Sequence, residues 1–235
     1  MTNTLVGQLP NLCLSVVPHI PPSEEPFPWK LGSHLSPSER QEVLDLLDEN
    51  KDCFAFSLED LSQCSEPPMD IVIAPEIQSI FQNAHKLSAA EWDFVDANCK
   101  KLLSLGFIRQ SRQTRYASAT VVVRKKDEEG NYTDFRQCGD YRPLNKHTLQ
   151  DKYPLPNIDD IFIDMVDAKI FSKLDLRQGY HQIPMKEEDK AKTTFWGARR
   201  QLYEWNVVPY GLKNAPPFVQ RLMEKMMAGC PNARC

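Results

Sequence analysis

The chain has 235 residues, 41% hydrophobic and 26% charged, with a formal net charge of −4. These values are typical of a soluble globular protein. No run of about 18 consecutive apolar residues occurs, which excludes a membrane-spanning helix. The N-terminus lacks the basic region of a secretory signal, so we expect an intracellular protein, cytoplasmic or nuclear.

The seven cysteines show no paired spacing. An odd count without a Cys-x-x-Cys or His-x-x-x-His pattern argues against a disulfide framework and a zinc site, so reduced thiols are predicted.

Charge is distributed unevenly along the chain. Residues 1–99 carry 4 basic and 16 acidic side chains, whereas residues 100–235 carry 24 basic and 16 acidic side chains. A polyanion would therefore prefer the second part, although a charge excess is often only a solvated face.

Residues 1–35 are rich in proline and predict an extended, partly disordered lead-in. Residues 36–106 predict a helical N-terminal region. Two capping boxes, Ser36 with Glu39 and Ser88 with Glu91, predict where two helices begin. The apolar faces of these helices comprise Val43, Leu44, Leu46 and Leu47 in the first, and Trp92, Val95, Cys99, Leu102 and Leu103 in the second.

Residues 119–126 and 132–140 predict the two arms of a β-hairpin. Arg136 lies on the second arm, and the first arm carries Arg124, Lys125 and Lys126. Cationic arms that face each other repel unless they splay to solvent or an anion lies between them. The pattern alone leaves a solvated hairpin and a triphosphate clamp equally open.

Asn157 predicts the start of a helix with an apolar stripe that should pack in the core. The stripe comprises Ile158, Ile161, Phe162, Met165 and Val166. Residues 170–176 then alternate as in a strand, with Asp175 near its end. A carboxylate there needs a partner, either a divalent metal or a basic side chain, unless it simply ends the strand and starts a turn.

Residues 193–195 and 202–208 predict a pair of strands, and Glu187 to Lys190 predicts a charged turn between the Asp175 strand and this pair. Asn214 predicts the start of a last helix that tolerates two prolines in its first turn. Its buried face is expected to comprise Val219, Leu222, Met223 and Met226.

Four segments in order carry a resemblance. Residues 140–146 read Asp-Tyr-Arg-Pro-Leu-Asn-Lys, residues 153–156 read Tyr-Pro-Leu-Pro, and residues 173–183 read Lys-Leu-Asp-Leu-Arg-Gln-Gly-Tyr-His-Gln-Ile. The fourth, residues 208–223, begins Val-Pro-Tyr-Gly-Leu-Lys-Asn-Ala-Pro-Pro. Together they resemble gypsy-type retrotransposon reverse transcriptases. The resemblance implies an α+β fold, that of a right-hand polymerase. Its fingers and an incomplete palm would comprise residues 107–235.

The resemblance also implies the site residues and their ligands. Asp175 would bind Mg²⁺, assisted by the carbonyl of Leu176, in a centre of two ions that catalyses nucleotidyl transfer. Arg136 and one of Lys125 or Lys126 would bind the triphosphate. Tyr180 would lie under the sugar and exclude a 2′-hydroxyl, so that deoxynucleotides are selected. Two further residues, Tyr210 and Gly211, would pack on the nucleotide, and the family commonly has Phe where Tyr210 stands.

The family's Tyr-x-Asp-Asp hairpin, which supplies two more carboxylates, has no counterpart here, since Asp189 is the last aspartate. We therefore expect a fragment of an RNA-directed DNA polymerase that binds deoxynucleoside triphosphates and a primed RNA or DNA template but does not polymerise. Incorporation on a primed RNA template would overturn this. One alternative is a non-catalytic nucleic-acid-binding protein derived from a retroelement, and another is a globular domain without a ligand.

Overall fold

The computed structural model describes residues 14–15, 31–126, 129–166, 168–169 and 171–235. Most of the proline-rich lead-in lies outside these residues, as do Ile170 and the side chain of Lys125. Within them, no helix is long and apolar enough to cross a membrane. The α-helices are α1 (Pro37–Glu49), α2 (Ala89–Ser104), α3 (Arg142–His147), α4 (Ile158–Asp164), α5 (Glu187–Lys190) and α6 (Ala215–Met227).

The strands are short. They are β1 (Leu14–Ser15), β2 (Phe54–Ala55), β3 (Ile80–Phe81), β4 (Ile108–Gln110), β5 (Tyr116–Ala117), β6 (Thr120–Lys126), β7 (Tyr132–Gly139), β8 (Asp175–Leu176), β9 (Phe195–Trp196) and β10 (Leu202–Trp205). They form two three-stranded sheets, ordered β2-β1-β8 and β4-β10-β9, and two pairs, β3-β5 and the β6-β7 hairpin. Helices combined with mainly antiparallel pairing confirm the predicted α+β class.

Both predicted capping boxes are formed. The hydroxyls of Ser36 and Ser88 accept a hydrogen bond from the backbone three residues on, and Glu39 and Glu91 accept from the cap backbone in return. These bonds satisfy amide groups that the first helical turn leaves unpaired, which is why α1 and α2 begin where the sequence predicts.

One core cluster lies between α2 and the β4-β10-β9 sheet. Val95, Cys99 and Leu102 are the buried residues of α2. They meet buried side chains from the sheet and the segments beside it, namely Phe107, Ile108, Phe195, Ala198, Tyr203 and Val207.

A second core cluster lies around α3 and α6 and supports the candidate site. Its buried members include Met69, Tyr141, Leu144, Ile183 and Leu222. The buried carboxylate of Asp189 accepts hydrogen bonds from the backbone of Ile71 and from Lys192. It thereby links the segment around Ile71, which precedes α2, to the second core cluster. A buried carboxylate is tolerated when it is paired in this way.

Three local predictions are wrong. The apolar stripe after Asn157 does not pack in the core: α4 ends at Asp164 and has no buried residue, and Phe162 is 63% exposed. Ile161 is half-buried and lines a cavity with residues of α6 and the C-terminal segment, whereas the rest of the stripe is largely open. The predicted strand that ends near Asp175 shortens to two residues, because residues 171–174 make no ladder and Leu174 is 71% exposed. The charged turn at Glu187 is the short helix α5.

The last helix departs from its prediction in two details. Of its predicted face, Leu222 is buried, while Val219, Met223 and Met226 are half-buried against the second cluster. Asn214 precedes the helix without capping it through its side chain. That side chain instead donates to the carbonyl of Leu149 and accepts from the backbone of Asp151.

Candidate nucleotide and metal site

The carboxylate of Asp175 is presented at the surface by the end of a short strand. In β8, Asp175 pairs with Ser15 and Leu176 pairs with Leu14, both in antiparallel register. Asp175 is exposed and Leu176 is half-buried. The local pattern therefore directs an acidic side chain to solvent and an apolar one inward, as expected for successive residues of a strand.

The chain turns sharply just after this strand. Gln178 adopts a left-handed backbone conformation, with φ 49° and ψ 44°, and a 3₁₀ turn over Gly179–Gln182 follows. The fully buried side chain of Gln182 donates to the carbonyl of Arg177 at 2.8 Å and closes the turn. This turn carries Tyr180, which is half-buried against the second core cluster.

Tyr210 brings the separate parts of the site together. Its ring meets the Tyr180 ring edge-on, with the centroids 5.2 Å apart. Its hydroxyl donates to the side-chain carbonyl of Gln178 at 2.8 Å. The loop after β10 is thereby joined to the turn after Asp175.

Two further predicted residues affect the pKa of Tyr210 through their charges. Burial raises the pKa of Tyr210, and the charge of Arg136 opposes that rise. Tyr180 and Asp175 add to the rise in the pKa. Arg136 and Asp175 thus both act on one phenol, although 38 positions separate them in the sequence.

Gly211 follows in a loop that α3 holds. Its φ of 92° is one that side chains rarely adopt, so glycine suits this position. The side chain of Asn145 donates to the Gly211 carbonyl at 2.7 Å and accepts from the Lys213 backbone at 2.8 Å. These two bonds fix the loop beside Tyr210.

The β6-β7 hairpin does not oppose its cations as the sequence suggests. Arg136 pairs with Val123, whereas Arg124 pairs with Phe135 and its guanidinium lies 5.6 Å from the centre of that ring. Alternation therefore puts the two arginines on opposite faces of the hairpin. Lys126 is exposed and pairs with Tyr132, after an irregularity in the ladder.

His181 forms the buried floor of the site. Its ring stacks on Trp205 and contacts Tyr210 and Phe107, with centroids 5.1 to 5.5 Å apart. Its Nε2 atom is buried without a hydrogen-bond partner among the described residues. Burial lowers the pKa of His181 to about 4, so the imidazole is neutral at pH 7.

The oxygen donors at Asp175 are of the kind that Mg²⁺ takes. Among the described residues, no group of three acidic, histidine or cysteine side chains is gathered for a metal. The exposed carboxylate of Asp175 on its own is compatible with one ligand position of such an ion.

Two residues with evident positions at the site were missed by sequence reasoning. Gln178 and Asn145 both lie inside the recognised segments, but nothing in the pattern assigns them a partner. A left-handed glutamine cannot be inferred from sequence, since Gly and Asn are the residues expected there. The double hydrogen bond of Asn145 depends on a loop 66 positions away.

Comparisons with known proteins agree with this architecture. Residues 123–234 match the family of reverse transcriptases, RNA-dependent DNA polymerases. The retrovirus-related Pol polyprotein of the Drosophila melanogaster transposon gypsy is 34% identical over 81% of this chain. That of transposon 297, also from Drosophila melanogaster, is 35% identical over 66% of it. The chain spans 18% and 14% of these two relatives.

Among solved structures, the prototype foamy virus protease–reverse transcriptase superposes with a TM-score of 0.72 at 18% identity. The match covers 86% of this chain and 26% of that one. At this identity the likeness establishes the fold. The chain belongs to the gypsy-type retrotransposon reverse transcriptases.

Proposed function

We propose that the chain supplies the fingers and part of the palm of an RNA-directed DNA polymerase. In that role it binds a deoxynucleoside triphosphate together with a primed RNA or DNA template. The observation that supports this most is the convergence at Tyr210. Its ring contacts Tyr180 edge-on, its hydroxyl donates to Gln178, and the charges of Arg136 and Asp175 both affect its pKa.

In this proposal, the metal side of the site is Asp175 with the carbonyl of Leu176. An exposed carboxylate at a strand end offers a hard oxygen ligand that would hold Mg²⁺. When bound, Mg²⁺ neutralises charge on the transferring phosphoryl group. The charges of Asp175 and Arg136 both affect the pKa of Tyr210, and this supports their contact with one nucleotide.

The triphosphate side is Arg136 with one of Lys125 or Lys126. A guanidinium binds two phosphate oxygens at once, and an ammonium adds a point charge. On the sugar side, the Tyr180 ring excludes a 2′-hydroxyl, while Tyr210 and Gly211 pack on the nucleotide. The exposed fraction of Tyr210, 43%, leaves a ring face for such packing.

Nucleotide binding is tested by titrating a fluorescent dATP analogue into the chain with Mg²⁺. Arg136→Ala is expected to weaken binding about tenfold or more, because it removes a charge-assisted contact. Arg124→Ala is the matched control from the same hairpin, since its guanidinium lies over Phe135 on the other face. Equal losses in both variants, or no binding by the wild-type chain, would contradict the proposal.

Template binding is tested with a labelled, primed RNA at increasing salt. The excess of basic residues after position 100 predicts an affinity that falls steeply as salt rises, because counterions are released from the phosphates. An affinity that does not change with salt would argue against contact with the nucleic-acid backbone.

A further inference from the structure

The hydrogen bond between Tyr210 and Gln178 is a feature that the family resemblance does not supply. The Tyr210 hydroxyl donates to the Gln178 amide oxygen at 2.8 Å. The same ring meets Tyr180 edge-on, with an interplanar angle of 89°. One bond therefore links the turn after Asp175 to the ring beside the proposed sugar-binding residue.

The backbone of Gln178 is held in the conformation that makes this bond. A left-handed conformation is unfavourable for glutamine and persists only where neighbours fix it. The Gln178 carbonyl accepts from the His181 backbone at 2.7 Å, and the buried Gln182 side chain closes the same turn. The amide of Gln178 is thus presented to Tyr210 by a fixed turn.

Apart from Tyr180, the ring of Tyr210 has one further aromatic neighbour among the described residues, on its inner side. There its ring contacts His181, which stacks on Trp205. Tyr210 as a whole is 43% exposed. Without the bond to Gln178, the ring can rotate away from Tyr180 while its inner contacts are largely kept.

We propose that Gln178 and the Tyr210 hydroxyl form a latch that holds the Tyr210 ring against Tyr180 and so sharpens discrimination between deoxyribonucleotides and ribonucleotides. This inference rests on the proposed function. Gln178 and the hydroxyl are positioning groups, because they act through the ring of Tyr180. A fixed neighbouring ring prevents Tyr180 from yielding to a 2′-hydroxyl.

The test is the ratio of the dissociation constants for ATP and dATP, measured with Mg²⁺ on the full chain. Tyr210→Phe keeps the ring and removes the hydroxyl. Gln178→Asn keeps a residue that tolerates the left-handed backbone but shortens the side chain. Each single variant is expected to lower the ratio about fivefold, the effect of one hydrogen bond, and the double variant to lower it no further.

Tyr203→Phe is the matched control. Tyr203 donates to Gln201 at 2.5 Å in the β4-β10-β9 sheet, so this variant removes a Tyr–Gln bond away from the site. It should leave the ratio unchanged. A purely structural role for the latch would weaken ATP and dATP equally and leave the ratio intact.

The outcomes separate the latch from the function on which it rests. If the wild-type chain prefers dATP and both single variants retain that preference, the latch is refuted and the proposed function stands. Additive losses in the double variant would refute the latch too. If the wild-type chain binds neither nucleotide, the proposed function fails and the latch fails with it. Equal binding of ATP and dATP by the wild-type chain would also overturn the latch.

Discussion

Helices α2 and α4 have similar sequence patterns, but the apolar face of α2 is buried and that of α4 is largely exposed. Each begins at a residue whose side chain caps it, Ser88 or Asn157, and each carries apolar residues at helical spacing. In α2 three of these residues are buried against a sheet. In α4 none is buried, and Ile158, Phe162 and Ile163 are each more than 60% exposed.

The difference teaches what periodicity can establish. The pattern identifies which face of a helix is apolar, but it carries no information on whether another element covers that face. For α2 the covering strands and turns come from residues 106–110 and 195–207 of the same chain. For α4, residues of α6 and the C-terminal segment meet only the side of Ile161, and Ile158, Phe162 and Ile163 remain exposed. Exposed apolar surface of this kind favours association.

Truncating a buried side chain of α2 should give the largest effect. Leu102→Ala removes a side chain that is 7% exposed and leaves a cavity, so we expect the free energy of unfolding to fall by about 3 kcal/mol. Urea unfolding followed by circular dichroism measures it. Ile163→Ala, in the exposed α4, is the matched control, with an expected change below about 0.5 kcal/mol. Similar losses in the two variants would break the comparison.

Acid should destabilise the core that adjoins α2 through His181, which contacts Phe107 of that core. The folded pKa of His181 is about 4, against 6.5 ordinarily, so the unfolded chain binds the proton more readily. The stabilisation is complete above pH 6.5 and is lost as the pH falls towards 4. Its size is about 3 kcal/mol.

This pH effect is measured by urea unfolding at pH 7 and at pH 4.5. His181→Phe keeps an aromatic ring between Trp205 and Tyr210 and should remove the corresponding part of the pH dependence. The exposed His85 provides the control, since His85→Asn should leave the dependence as it is in the wild type. An unchanged pH dependence in His181→Phe would show that other groups cause it.

Removing the N-terminal caps should also affect α2 and α4 differently, with smaller changes in the free energy of unfolding. Ser88→Ala is expected to lower the free energy of unfolding by about 1 kcal/mol, because α2 is part of the core. Asn157→Ala should cost less than about 0.5 kcal/mol in the same measurement, since no residue of α4 is buried. Equal costs would mean that α4 unfolds together with the core.

A charged residue introduced on the exposed face of α4 should have the smallest effect on the free energy of unfolding. Its main effect should be on self-association. Ile163 is 68% exposed, so Ile163→Lys is expected to change the free energy of unfolding by less than about 0.5 kcal/mol. It should reduce self-association, measured by light scattering against concentration. If the wild-type chain remains monomeric at high concentration, the exposed face does not drive association.

The elements that local chemistry determines could be predicted from sequence. The capping boxes set the starts of α1 and α2, and alternation with a turn set the β6-β7 hairpin. The length of β8 could not be predicted, because it depends on β1, a partner about 160 positions earlier in the chain. Long-range pairing of this kind leaves no local signature.

The candidate site also has a part that could be predicted from sequence and a part that could not. Asp175, Tyr180 and Tyr210 were predicted through segments that resemble the family, and Arg136 through the hairpin that precedes them, whereas the contact between Tyr180 and Tyr210 is a property of the fold. The contacts of Gln178 and Asn145 were not predicted, since a hydrogen bond across more than 30 positions depends on backbone geometry. The opposite orientation of Arg124 and Arg136 follows from register, which the sequence alone leaves open.

The most direct test of the account is the Mg²⁺ dependence of dATP binding, with Asp175→Asn compared with the wild-type chain. We expect Mg²⁺ to tighten binding by the wild type at least about tenfold, and Asp175→Asn to lose that gain, because a carboxylate that shares the ion with the triphosphate is gone. Asp159→Asn, on the exposed α4, should keep the gain in full. A gain from Mg²⁺ that is as large in Asp175→Asn as in the wild type would contradict the assignment of Asp175 as a metal ligand.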